Sequence, residues 1–235
     1  MSEHVRPKHY RKEPLGWAPQ FMALWISRVL FYPTLIYNVT LYYLWPTKFR
    51  NWWDRVDDSI ILGALPFYWH VPLLYNQGVR GVVNTCDEYA GPVQTYARYG
   101  IEQLRVPIVD YFPPTLEDVK VALRFIRKHT NNGDSVYVHC KAGRGRSTTI
   151  VLCYLIERYP GVKPVEAQTH LNKKRPQVSP NVWKRQVVFD FWDTVPQDED
   201  ASGTPVTIPE PGTSTSTSTA ITSADGGADD NKKDQ

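Results

Sequence analysis

A layered α/β fold is predicted for the middle of this 235-residue chain by two observations. Between about residues 52 and 195, short β-rich runs alternate with stretches of helical apolar periodicity, the pattern of a sheet covered by helices. That span, about 140 residues, is long enough to bury a single competent core. The composition agrees, since 42% hydrophobic and 22% charged residues are values of a globular chain.

Taken in order, residues 59–62, 79–84, 102–107 and 135–139 read as strands. Helices are expected near 70–77, 115–129, 146–158, 164–174 and 181–193, where apolar residues recur at helical spacing. Thr115-Leu-Glu-Asp118 has the spacing of a capping arrangement, and Asn132-Gly133 is a stop signal before the strand that follows.

Three segments lie outside this domain of 52–195. Residues 1–20 are polar, with Arg6, Lys8, Arg11 and Lys12 offset by Glu3 and Glu13. No small-residue cleavage site follows, as a secretory signal requires, and the acids make a weak mitochondrial transit peptide, so this segment leaves targeting open. Residues 21–45 form an apolar run whose only charge is Arg28, long enough for a spanning helix. Eight aromatics, Pro33 and Asn38 interrupt it, so a helix in the membrane interface, a spanning helix and a helix packed on the domain all fit. Basic residues on both sides leave its orientation open. Residues 196–235, rich in Ser, Thr, Pro, Gly and Asp, are expected to be disordered.

The net charge of +3 conceals a division. Eight acids against two lysines leave residues 196–235 at −6, so the first 195 residues carry +9. A body this basic favours anionic partners such as phosphates, acidic lipids or nucleic acid. Cys86, Cys140 and Cys153 are too few for a disulfide framework and lack the spacing of a zinc site, which points to a reducing compartment.

The chemistry is concentrated at residues 136–150, where a β run ends at His139-Cys140, passes through a glycine-containing loop and enters a helix at Arg146. A helix N-terminus presents unpaired N–H groups and the positive end of the macrodipole to a tetrahedral anion. The loop delivers Cys140 to the bottom of that nest, where the same field favours the thiolate. Gly143 and Gly145 let the backbone turn its amides inward. Arg146 supplies a planar fork for two phosphate oxygens. Cys153 lies in an apolar helix and reads as core, and Cys86 is ambiguous. Thiolate attack on phosphorus also needs an acid for the departing oxygen. Asp110 is the best candidate, since it follows an apolar strand and opens a Tyr-Phe-Pro-Pro loop 30 residues before Cys140. Asp118 and Asp134 read as a cap-region acid and a turn acid.

His139-Cys140, five residues, then Arg146-Ser147 resembles the signature of cysteine-dependent phosphatases of the protein-tyrosine-phosphatase superfamily, dual-specificity type. The resemblance implies a central, mostly parallel sheet flanked by helices. It also implies that Ser147 stabilises the thiolate as leaving group and that His139 orders the loop. Residues 27–37, Trp53–Asp57, Leu62–Pro66, Gly100–Arg105 and His139–Ser147 together are similar to the mitochondrial phosphatidylglycerophosphate phosphatases. Where that family typically reads Asn-Glu-Glu-Tyr-Glu, this chain has Cys86-Asp-Glu-Tyr-Ala90. Asp87 and Glu88 keep the acidity, and Ala90 removes one carboxylate.

The function expected is therefore hydrolysis of a phosphomonoester on an anionic phospholipid at a membrane surface, with Lys141, Ala142, Gly143, Arg144 and Gly145 around the phosphate. The resemblance places this at the mitochondrial inner membrane, on the route to cardiolipin. The alternatives are a protein or phosphoinositide phosphatase and a silent module that binds acidic lipids, against which the complete set Cys140, Arg146, Ser147 and Asp110 stands. Nucleic-acid binding would explain the basicity but no motif. No metal or cofactor is implied, because Arg146 and backbone donors meet the phosphate charge.

Overall fold

The computed structural model describes residues 17–44, 51–110, 112–196 and 208. Helix α1 (Trp17–Leu44) precedes β1 (Trp53–Arg55) and β2 (Ile60–Gly63). A 3-10 turn (Tyr68–His70) leads into α2 (Val71–Asn76), β3 (Val79–Cys86), α3 (Val93–Arg98) and β4 (Glu102–Ile108). Then come α4 (Leu116–Thr130), β5 (Ser135–His139), α5 (Arg146–Arg158), α6 (Pro164–Lys174) and α7 (Gln186–Trp192).

The five strands form one sheet in the order β1-β2-β5-β3-β4, in which β1 runs antiparallel and the other four are parallel. Alternate strand residues face opposite layers. Leu62, Val83, Val106 and Val138 enter the main core with residues of α4, α5, α6 and α7. Ile61, Val82 and Tyr137 face the other way, onto Val71 and Leu74 of α2 and Tyr96 of α3. The expected mostly parallel sheet flanked by helices is thus present, with an antiparallel edge. Thr115 and Asp118 form the expected capping box, with the Asp118 amide 3.1 Å from Thr115 Oγ1 and the Thr115 amide 2.8 Å from Asp118 Oδ2.

Two elements were not foreseen. β1 has three half-buried residues, too few to show alternation, and α3 buries only Tyr96. The single helix expected over 181–193 is instead a 3-10 turn (Val182–Lys184) and α7, separated by Arg185 in extended conformation. The guanidinium of Arg185 is held by the Gly145 carbonyl at 3.1 Å, a tertiary contact that overrides helical propensity at this residue.

α1 carries two faces. Phe31 and Leu35 are buried, and Val39 and Tyr42 half-buried, against Trp52, Ala64, Leu65, Phe67 and Tyr89. Trp25, Val29, Tyr32 and Ile36 form a stripe at helical spacing on another side and are exposed, as are Leu30, Tyr37 and Leu44. The helix has 28 residues, and among the described residues no helix is both long and apolar enough to cross a membrane. The expectation of a disordered segment from 196 onward falls mostly outside the described residues. It does not hold at Ile208, which is 7% exposed and packs into the main core.

Candidate active site

Because β2, β5, β3 and β4 are parallel, their C-terminal ends meet at one edge of the sheet, where open α/β sheets place ligands. Each end delivers a different part of the site. β5 ends at His139 and hands over to Cys140, β3 leads through Cys86 to Asp87 and Glu88, β4 leads to Asp110, and β2 ends at Gly63 beside the loop.

Cys140 is buried at the base of the loop that joins β5 to α5. Its Sγ receives the Gly143 amide at 3.2 Å and the Ser147 hydroxyl at 3.3 Å. Burial by itself pushes the thiol up, but the charge of Arg146, the Ser147 hydroxyl and the amides of Ser147 and Arg144 outweigh it and bring it to about 7, below its ordinary value. Gly143 makes the turn at φ +66°, and a side chain there would run into the Gly63 carbonyl. Cys86 is buried near these charges, and burial, the largest influence, pushes its thiol well up despite Arg146. Cys153 sits in the main core as expected, and burial raises it too.

Arg146, only 3% exposed, has one edge anchored. Its Nη1 donates to Glu88 Oε2 at 3.0 Å and to the Ile108 carbonyl at 2.7 Å. Its Nη2 lies 3.2 Å from Asp110 Oδ1 and makes no hydrogen bond, so this buried donor is the one presented to a ligand. Asp110 Oδ2 also pairs with Lys141 Nζ at 2.6 Å. Lys141 therefore points at Asp110 and at Thr34 of α1, 3.0 Å away, while remaining in the cavity wall.

The cavity above Cys140 has a volume of about 390 Å³. Asp110, Lys141, Ala142, Arg144, Gly145 and Arg146 line it, together with Thr34 and Tyr37 of α1, Phe112, Ser179 and Arg185. Asp87 is not among the lining residues, and its backbone carbonyl accepts from Arg105. Glu88 approaches through Arg146 rather than through the cavity wall. Among the described residues, no cluster of His, Cys, Asp and Glu could hold a metal ion.

His139 makes a smaller hydrogen-bonding contribution than the resemblance implied. The ring is wholly buried and held neutral, its burial lowering it to about 3, and its Nδ1 makes only a 3.4 Å approach to the Cys140 carbonyl. The stronger brace is Arg175, which sequence reading missed. It is 0% exposed and donates from Nε to the Gly143 carbonyl at 3.0 Å and from Nη2 to the Ala142 carbonyl at 3.1 Å. Its Nη1 is tied to Asp54 Oδ2 at 2.6 Å. Turning those two carbonyls outward leaves the loop amides facing inward. The chain signalled none of this, because Arg175 follows Lys173-Lys174 and reads as the basic end of a helix.

A buried low-lying thiol in a nest of amides, with a guanidinium and a carboxyl above it, suits attack on a phosphoryl group. The comparisons point the same way. Residues 66–190 match the dual specificity phosphatase catalytic domain. The chain is 44% identical over 168 residues to the phosphatidylglycerophosphate phosphatase PTPMT2 of Arabidopsis thaliana, covering 70% of this chain and 72% of that protein. It is 36% identical over 173 residues to the Homo sapiens phosphatidylglycerophosphatase and protein-tyrosine phosphatase 1, covering 71% and 86%. The crystal structure of PTPMT1 in complex with PI(5)P superposes with a TM-score of 0.56 at 33% identity, over 61% of this chain and 96% of that one. On this similarity of sequence and fold, the chain belongs to the dual specificity phosphatase family and is a phosphatase.

Proposed function

We propose that the chain converts phosphatidylglycerophosphate to phosphatidylglycerol at a membrane surface. The observation that carries this reading is the cavity wall. Thr34 and Tyr37 belong to α1, and on that side of the helix Leu30, Tyr37 and Leu44 are exposed, so the pocket opens beside an apolar and aromatic face. Such a face suits the headgroup level of a bilayer, where a lipid phosphate resides. The names of the relatives above support the same substrate. They are also consistent with work at the mitochondrial inner membrane, supplying the precursor of cardiolipin.

In this reading Cys140 Sγ attacks phosphorus and forms an S–P bond as the P–O bond to the glycerol alkoxide breaks. Asp110 gives that oxygen its proton. Arg146 Nη2 and the amides around residues 141–145 hold the equatorial oxygens as charge moves onto them. A water then attacks phosphorus, Asp110 takes its proton, the S–P bond breaks, and Ser147 steadies the restored thiolate. The products are phosphatidylglycerol and inorganic phosphate.

A phosphoinositide phosphatase is the second reading, favoured by the solved relative's complex with PI(5)P and by Lys141, Arg144 and Arg185 beside Arg146. Phosphate release from phosphatidylglycerophosphate, PI(5)P and a phosphotyrosine peptide at matched concentrations separates these. Phosphatidylglycerophosphate should be turned over at least about tenfold faster, a difference of about 1.4 kcal/mol in barrier. Preference for the peptide would overturn the lipid reading.

A further inference from the structure

To protonate the leaving oxygen, the Asp110 carboxyl must be fixed over the Cys140 loop. The two oxygens are held by two different cations, Oδ1 by Arg146 Nη2 at 3.2 Å and Oδ2 by Lys141 Nζ at 2.6 Å. Arg146 Nη2 is also the donor that meets the phosphate, so its hold on Asp110 is contested once substrate is present. The contact with Lys141 is the shorter of the two and is the one that reaches α1.

Lys141 is itself 8% exposed, and a buried ammonium keeps its position only where it has partners. Besides Asp110, these come from α1. Its Nζ donates to Thr34 Oγ1 at 3.0 Å and lies 5.4 Å from the centre of the Phe31 ring, within reach of a cation–π contact. The Thr34 hydroxyl is oriented in turn, because it donates its own proton to the Leu30 carbonyl at 2.6 Å. Its lone pairs are therefore offered to Lys141. The polar chain runs from the α1 backbone through Thr34 and Lys141 to Asp110, each member aligning the next.

We propose that Thr34 is a positioning residue for phosphoryl transfer, which through Lys141 sets where the Asp110 carboxyl sits, so that α1 is part of the catalytic apparatus. This rests on the reading of Asp110 as the acid. α1 is suited to such a role because its Phe31 and Leu35 are fixed in a core with Trp52, Ala64 and Leu65. Tyr89, next to Glu88, packs on the same cluster, so both carboxylates near Arg146 neighbour elements in contact with this helix.

The test uses the full chain with Thr34→Val, which keeps volume and removes the hydroxyl, Thr34→Ser, which restores it, and Asp110→Asn. Each is assayed for kcat/KM on p-nitrophenyl phosphate, whose leaving oxygen needs little protonation, and on monomeric short-chain phosphatidylglycerophosphate, whose alkoxide needs it. Thr34→Val should lower kcat/KM on the alkyl ester about three- to tenfold more than on the aryl ester, the scale of a small misplacement of a reacting group. Thr34→Ser should recover most of the loss. Equal losses on both esters, no loss on the alkyl ester, or failure of serine to recover it would overturn the proposal. Asp110→Asn separates the two levels. If it shows no selectivity for the alkyl ester, the assignment of the acid fails; if it does while Thr34→Val does not, only the role of Thr34 fails.

Discussion

Glu88 and Arg146 form an ion pair 3.0 Å long that water barely reaches, their side chains being 4% and 3% exposed. The pair orients the guanidinium by occupying Nη1, which leaves Nη2 beside Asp110 and without a hydrogen bond. One of the Glu88 oxygens, Oε1, is buried without a hydrogen-bond partner, so this carboxylate is held for its charge and its direction more than for full satisfaction.

Glu88→Gln should therefore be costly in two ways. Replacing the charged acceptor removes about 1–3 kcal/mol of hydrogen-bond stabilisation, read as a lower Tm. It also frees Arg146 to reorient, which lowers kcat/KM for a phosphomonoester. An unchanged Tm with unchanged kcat/KM would mean that the pair has no part in setting the guanidinium.

The Cys140 thiol should titrate near 7. The rate of alkylation by iodoacetamide should rise with pH through that value, because the reacting thiolate is the form present above it. Ser147→Ala removes a bond to the thiolate and should move the inflection upward. Cys86 and Cys153, buried and raised, should stay unlabelled in the native protein. An inflection that Ser147→Ala leaves in place would remove Ser147 from the stabilisation of the thiolate.

How much of this was legible follows from where the partners lie in the chain. Cys140, Arg146 and Ser147 fall within eight consecutive residues, so a strand end, a glycine turn and a helix start announce them together. Asp110 was legible because it follows a strand whose direction the α/β pattern sets. Thr34 and Lys141 are 107 residues apart, and Arg175 is 32 residues beyond the Gly143 carbonyl it holds. Such meetings arise from packing between layers, to which periodicity and local spacing are blind. The two faces of α1 were hidden likewise, since the aromatic composition of residues 21–45 is equally suited to a core and to an interface.

Arg175→Lys tests the brace on the loop. Lysine keeps a charge for Asp54 but has no planar fork to reach the Ala142 and Gly143 carbonyls as well. kcat/KM on p-nitrophenyl phosphate should fall at least about tenfold, since small displacements of the phosphate-binding amides are amplified in rate. Retention of full activity would assign the loop geometry to other contacts.

Gly143→Ala should be among the most damaging single changes in the loop. Alanine disfavours the left-handed backbone found here, at a cost of about 1–2 kcal/mol, before its methyl group meets the Gly63 carbonyl. The expected readout is loss of phosphate release together with a lower Tm. A variant with wild-type turnover would show that the loop has another accessible conformation.

The four parallel strands also give the molecule two edges of opposite character. Their C-terminal ends carry the chemistry, while the turns feeding their N-terminal ends, at Gly78, Gly100 and Asn131–Gly133, lie at the far edge of the sheet. A strand of five residues such as β5 separates the two by about 16 Å. Asn131, Asn132 and Gly133 are exposed, so the chain can be lengthened, labelled or fixed to a support there without a group coming near Cys140.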